Sequence, residues 1–355
     1  MEIIDLKTPG AVAEAARLAA AEHARLRALL PRLPGRDAAH YEPMLEWMVR
    51  EGDLVGAAEG GRLVAFLGGF ILENYRNAGP GTFSPDWCHG AVLGAEPAGA
   101  DATAASATAA RAASDGRATL AYRLLYRELA SRWVAKGIRI HAAAAYASDG
   151  AAREAFSLTG FGRVVLDAAV GASELLAGLS GPGDATADSA PEAARAELAA
   201  PRGLAVRRAG PPDAAALAEM NARLAAHIGA SPVLMPHPHG STEEEWAAWF
   251  AAPEAVAFIA EREGRGVAFI KAEAPQFDVS DAVHGDKTLA INGMFTEDAE
   301  RRQGTGSFLL RALAAEAVER GMDLVSVDCE TTNLEAYAFW TRRFKPVTWS
   351  FERRV

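Results

Sequence analysis

The chain reads as an α/β protein of mixed sheets in which one plan occurs twice. Strand, helix, hairpin, strand, helix, strand, helix and strand can be traced through residues 1–170 and again through 203–355. At 355 residues, half of them apolar, the chain exceeds one usual domain and can fill two cores. Between the copies, 178–201 is rich in Ala, Ser and Asp, is broken by Pro182, Pro191 and Pro201, and has the composition of a linker. The expected layout is therefore a first domain 1–170 with a low-complexity insertion at 94–117, a linker 171–202, and a second domain 203–355.

In the first copy, 2–6 is a short strand, and 9–30 is a helix of strong propensity whose Ala/Leu stripe faces inward. Residues 53–70 alternate as a hairpin turning at Gly60-Gly61. A fourth strand is expected near 87–93, then the insertion, a helix over 118–136 and a strand over 138–146. In the second copy, 204–208 is a strand, 212–228 a helix, and 255–270 a hairpin turning near Gly264. Trp246 and Trp249, three apart on an amphipathic helix, read as packing residues. The run 288–295 is a strand, followed by a helix over 307–320 whose Leu310, Leu313, Ala314, Ala317 and Val318 repeat at core spacing. Gly321 stops that helix, 322–330 is a β-branched strand, 333–340 a short helix and 347–355 a closing strand.

Composition narrows the function classes. A net charge of −10 argues against a nucleic-acid partner and against an anionic membrane surface. Cys88 and Cys329 form neither a metal spacing nor a disulfide framework, which points to a reducing, cytoplasmic setting. No stretch approaches 18 consecutive apolar residues, and the chain opens Met-Glu-Ile-Ile-Asp rather than with a basic leader. His237 and His239 flank one proline, but no third ligand stands at a recognisable spacing, so a rigid loop is expected and no metal.

The most informative stretch is Arg301-Arg302-Gln303-Gly304-Thr305-Gly306, set between a strand and a helix. Two glycines allow a tight turn and bare N–H groups, and the helix start adds unpaired N–H groups and a positive dipole end, which together suit a pyrophosphate. The first copy has only Asp115-Gly116-Arg117 before its helix, so its cradle is expected to be lost. The glycine loop, the Asn333-x-x-Ala-x-x-Phe-Trp helix and the terminal strand resemble the GNAT superfamily of acyl-CoA-dependent N-acyltransferases, whose Arg/Gln-x-x-Gly-x-Gly/Ala signature is met by Arg301, Gly304 and Gly306. The ending from Phe339-Trp340 to Phe344-Lys-Pro-Val looks like one bacterial branch of it.

The resemblance covers 203–355 well and the rest faintly, and implies two tandem GNAT-like domains, each a mixed, mostly antiparallel sheet with helices on both faces and strands 4 and 5 splayed. It implies acetyl-CoA as cosubstrate, held by Arg301, Arg302, Gln303, Gly304, Thr305, Gly306 and Ser307, and an N–H of Met294 or Phe295 polarising the thioester carbonyl. It also implies that Asn333 holds the pantetheine arm. Trp340 occupies the place of the usual proton-donating tyrosine and is counted with the cofactor residues, because an indole N–H is no acid. Tyr337, three residues earlier on the same helical face, is the candidate acid. Glu330 at its strand's end is the candidate base, and a solvated terminal carboxylate is its plain alternative. Cys329 lacks a partner His and reads as buried and inert. The expected activity is acetyl transfer to a primary amine by direct attack in the second domain, as a monomer or homodimer acting on a small-molecule amine or peptide. The alternatives are a weakly catalytic acyl-CoA sensor and a tandem synthase of the mycothiol type.

Overall fold

The computed structural model describes residues 1–92, 104–180, 203–277 and 279–355, without the side chains of 104–112 and 180. No helix among the described residues is long and apolar enough to cross a membrane. The chain divides into two compact units: Met1–Leu166 with Ser280–Ala282 and Pro346–Val355, and Asp167–Val279 with Val283–Lys345.

The first unit starts with strand β1 (Glu2–Asp5) and helix α1 (Pro9–Leu29), which Thr8 caps by accepting from the Ala11 N–H while Pro9 sits at the permitted first position. Helix α2 (Ala38–Glu51) is capped by Asp37. Strands β2 (Asp53–Glu59) and β3 (Arg62–Leu72) form the expected hairpin, with Gly60 at φ 56° and Gly61 at φ 78°, the two left-handed residues that a twisted two-residue turn requires. After β4 (Gly81–Ser84), β5 (His89–Ala91) and α3 (Ala104–Ala135) come β6 (Ile140–Tyr146), α4 (Gly150–Leu158) and β7 (Gly162–Gly171). Leu6, Val12, Ala16, Tyr41, Leu45, Met48 and Phe66 are core residues of this unit.

Two expectations change here. The fourth strand begins earlier than 87–93 and is interrupted: β4 and β5 both pair with β3, separated opposite Gly68 and Gly69, and it is β4 that runs parallel to β6. Helix α3 begins at Ala104 rather than 118, because the alanines that make the insertion low in complexity are also the best helix formers. The remainder of that insertion, 94–103, lies outside the described residues, as does most of the 171–202 linker; its beginning is helix α5 (Ala172–Ser180), which belongs to the second unit.

The second unit continues with β8 (Leu204–Arg208), α6 (Ala214–Gly229), α7 (Glu243–Trp249), β9 (Val256–Arg262), β10 (Arg265–Glu273), β11 (Thr288–Thr296), α8 (Thr305–Glu319), β12 (Leu324–Glu330) and α9 (Leu334–Thr341). Thr242 and Glu245 close a capping box on α7, which fixes its first turn. The β9–β10 turn repeats the first hairpin's solution, with Glu263 at φ 53° and Gly264 at φ 76°. Trp246, fully buried against Phe269, belongs to a core with Leu217, Met220, Ile259 and Phe295, so the two α7 tryptophans are packing residues.

Each unit therefore has a mixed sheet of one design. In the first, β1, β2, β3 and β4 pair antiparallel in sequence and β4 pairs parallel with β6; in the second, β8, β9, β10 and β11 do so and β11 pairs parallel with β12. The closing strand β13 (Lys345–Arg354) pairs with β6 of the first unit, from Thr348↔Tyr146 to Arg354↔Ile140, while Asp167–Gly171 belongs to the second.

Candidate functional site

The second unit opens where β11 parts from its parallel neighbour. Pairing with β10 continues to Thr296, whereas pairing with β12 stops at Ile291↔Val327. The register slips between Lys271↔Gly293 and Ala272↔Ile291, so Asn292 is an extra, bulged residue on β11. A bulge increases local twist and ends regular pairing, and here it coincides with the parting of the strands.

A cleft of about 550 Å³ lies along the freed end of β11. Met294, Phe295 and Thr296 form one wall, Arg301, Arg302, Gly304, Gly306 and Ser307 the turn into α8, and Asn333, Phe339, Trp340 and Arg343 the side made by α9 and the residues after it. Gly304 is the N-cap of α8 at φ 87°, a left-handed conformation that glycine adopts without a Cβ penalty, and it offers no capping side chain. The first helical bond of α8 runs from the Phe308 N–H to the Gly304 carbonyl. The N–H groups of Thr305, Gly306 and Ser307 therefore precede the helix ladder. A Cβ on Gly306 would come within 2.8 Å of Met294 Cε and 3.5 Å of the Phe339 ring, so only glycine leaves this space clear.

The charges around the turn are sorted. Glu300, on the cleft wall, accepts two bonds of 2.7 Å from Arg262, which cancels its charge. Arg301 donates to the Thr296 carbonyl at 3.0 Å, to Glu335 at 3.0 Å, and pairs with Asp298 at 3.1 Å. Its guanidinium thus ties the loop to the end of β11. Arg343 bonds Ser307 Oγ at 3.1 Å and the Phe339 carbonyl at 3.0 Å, with its guanidinium 4.5 Å from the centre of the Phe339 ring. Arg301, Arg302, Arg342 and Arg343 outnumber the wall's carboxylates Glu300 and Glu335, leaving a positive surface beside open N–H groups.

Of the residues singled out from the sequence, Met294, Phe295, Arg301, Arg302, Gly304, Gly306, Ser307, Asn333 and Trp340 share this cleft. Asn333 also caps α9 by accepting from the Ala336 N–H at 3.2 Å. Gln303 is exposed and bonds back to the Ala299 carbonyl, and Thr305 is buried beneath the helix start; neither lines the cleft. Tyr337 and Glu330 are half-buried and do not line it. Burial, reinforced by Asp328, Glu330 and Asp167, pushes the Cys329 thiol up to about 12, so it is no nucleophile at neutral pH. Arg342 and Arg343 line the cleft too and were missed by sequence reasoning, although their place two and three residues after Trp340 marks them once α9 is read as a cleft wall. Among the described residues no cluster of three or more His, Cys, Asp or Glu side chains is placed to hold a metal.

Comparisons with known proteins bear on this geometry. Residues 213–344 match the acetyltransferase (GNAT) family model. This part of the chain is a GNAT acetyltransferase domain. Over nearly the whole chain the structure is similar to a GCN5-related N-acetyltransferase from Sphaerobacter thermophilus, with TM-score 0.50, 15% identity, and 99% and 95% of the two chains covered. That similarity extends the GNAT fold to both units, as a tandem. A tandem GNAT protein from the clavulanic acid biosynthesis pathway is similar at TM-score 0.42 and 14% identity, over 99% and 98% of the chains. An aminoglycoside acetyltransferase from an uncultured soil metagenomic sample is similar at TM-score 0.31 and 18% identity, over 39% of this chain and 84% of its own. The comparison with curated proteins gives no match.

Proposed function

We propose that the second unit is an acetyl-CoA-dependent N-acetyltransferase that acetylates a primary amine by direct attack. The observation that carries this reading is the convergence, in one cleft, of the open end of β11, the uncapped start of α8 and the arginines after α9. These residues fit the cosubstrate. The N–H groups of Gly306 and Ser307, with Arg302 and Arg343, would hold the pyrophosphate; Asn333 and Trp340 would flank the pantetheine arm. The bound thioester supplies an activated acyl carbon, and an amide of Met294 or Phe295 at the splay would polarise its carbonyl, an effect worth about 3 kcal/mol for one well-placed donor. Glu330, ending β12, is the proposed base that takes the amine's proton, and Tyr337 on α9 the acid that protonates the leaving sulfur. Tyr337→Phe should then lower kcat by about 10²-fold with CoA affinity retained; full kcat in that variant removes the role.

The placement of Tyr337 and Glu330 off the cleft wall favours a second reading, an acyl-CoA-binding module with weak turnover. Calorimetric titration with acetyl-CoA decides the common part. One site per chain, lost in Gly304→Glu and in Gly306→Glu, is expected, and two sites would place a second cosubstrate in the first unit. An absence of binding sinks both readings. Acetylation of any amine in a panel then separates enzyme from sensor.

A further inference from the structure

A second cavity of about 120 Å³ lies further back along β11, lined by Asp167, Glu273, Asn292, Ser326 and Asp328 with apolar neighbours including Ile291 and Val327. Three carboxyl side chains thus converge from β7, β10 and β12 on a space holding on the order of four waters. Glu273 is held in place: it accepts from the Trp249 indole N–H at 2.9 Å and from Asn292. Asp167 is 8% exposed. An independent feature points to an occupant. Ser326 is 3% exposed, lines this cavity, and its hydroxyl has no hydrogen-bond partner among the described residues. A buried hydroxyl left unpaired costs free energy, and a donor placed in the cavity removes that cost.

The position is as informative as the chemistry. Ala290, Ile291 and Asn292 border this cavity, while Met294, Phe295 and Thr296 border the larger cleft. The two spaces therefore lie along one strand with Gly293 between them, and Asn292 and Met294 are separated by about 7 Å, two strand residues.

We propose that this cavity takes the distal ammonium group of the acceptor, and that the acceptor is an aliphatic diamine or longer polyamine. The inference rests on the transferase reading above. A protonated amine is attracted by the negative charge of Asp167, Glu273 and Asp328 and donates to Ser326 Oγ, whereas a neutral alkyl tip or a carboxylate does neither. The second amine of the same molecule, about three or four carbons away at the strand spacing just given, reaches the splay as the neutral nucleophile. Its nitrogen forms the new N–C bond, the C–S bond breaks with its electron pair passing to sulfur, and the proton shed by nitrogen ends on the thiolate. The charged end is bound and the reacting end is not, which resolves how an acidic cavity serves a nucleophile that must lose its charge.

Steady-state acetylation of 1,3-diaminopropane and 1,4-diaminobutane is measured against 1-aminobutane and 4-aminobutanoate, on the full chain and on Asp328→Asn, at an exposed position, and Glu273→Gln. The diamines should exceed both comparison amines at least tenfold in kcat/KM, mostly through KM, and each variant should cut that preference about tenfold. Calorimetry of the CoA-loaded chain with 1,4-diaminobutane should show one site, weakened in Asp328→Asn and in Ser326→Ala. Equal use of 1-aminobutane, or a preference unchanged in both carboxylate variants, overturns the assignment. So does a chain that binds acetyl-CoA but neither binds nor acetylates a diamine, and that outcome leaves the cosubstrate site intact. Failure to bind acetyl-CoA overturns the transferase reading and this inference with it.

Discussion

Gly304 and Gly306 meet different physical demands although they stand two apart. At Gly304 the constraint is conformational: φ is 87°, and any Cβ there strains the backbone. At Gly306 it is spatial, because the helix start passes close to Met294 and Phe339. Gly304→Ala should therefore cost about 1–2 kcal/mol of stability, visible in chemical denaturation. Gly306→Ala should cost less, since the atom it meets is the far end of a flexible methionine, and should instead weaken acetyl-CoA binding as Met294 moves into the cleft. Equal losses of stability in the two variants would contradict this division. Both glycines were legible in the sequence because a tight turn before a helix is a local requirement. Asp167, Glu273 and Asp328 were not legible as a group, because more than a hundred positions separate the first from the second and only sheet pairing brings them together.

At the scale of elements, α8 and α9 make the cleft by approaching each other with the end of β11 between them. Arg343 joins the two helices through Ser307 Oγ and its stacking on Phe339, while Arg301 joins the cradle loop to β11 and Glu335. The two arginines should thus respond differently to loss. Arg343→Gln should raise the KM for acetyl-CoA about tenfold, equivalent to 1.4 kcal/mol, with a near-native melting temperature, since a part-exposed pair contributes little to stability. Arg301→Gln should lower stability as well as affinity, because it leaves the Thr296 carbonyl without its donor. Thermal melts and steady-state kinetics on the two variants test the contrast. The helices themselves were readable from periodicity. The parting of β11 from β12 was not visible in composition; it was expected only by resemblance, and the bulge at Asn292 is its structural correlate.

At the scale of the whole molecule, the last strand matters more to the first unit than to the domain it follows in sequence. Val347 and Phe351 are fully buried, and Phe351 packs against Phe156. A chain ending at Lys345 loses β13 from β6, and burying side chains of this kind is worth about 1.5–3 kcal/mol each. We expect the first unit to lose most of its stability in that chain while the cleft, made of residues 224–343, survives; proteolysis with mass spectrometry would report which unit is cut first. The first unit also carries a buried charge cluster. Tyr122 donates to Asp149 at 2.9 Å, His89 lies 3.5 Å from Asp149, and Glu22 pairs with Arg25. Burial, with the Asp149 charge, pushes Glu22 up from 4.5 to about 7. A carboxyl group whose folded value is raised binds more protons folded than unfolded between those two values, so this contribution to stability is lost as pH rises through that window. Glu22→Gln should therefore compare better with the native chain at pH 8 than at pH 5 in melting temperature, and a gap independent of pH would refute the assignment.

The sequence by itself determined the twice-repeated order of strands and helices, the hairpin turns and the glycine turn into α8, since each rests on propensity, period-two or helical patterning, and glycine conformations set within a few residues. Only the tertiary structure decided that β13 closes the sheet of the first unit, that Asp167–Ser180 belongs to the second, that Arg343 faces Ser307, and that three distant carboxylates share one cavity. A strand's hydrogen-bonding edge carries no label for its partner, and any suitable edge with a matching apolar face can satisfy it. The choice among such edges depends on how whole layers pack, which no local window of residues contains.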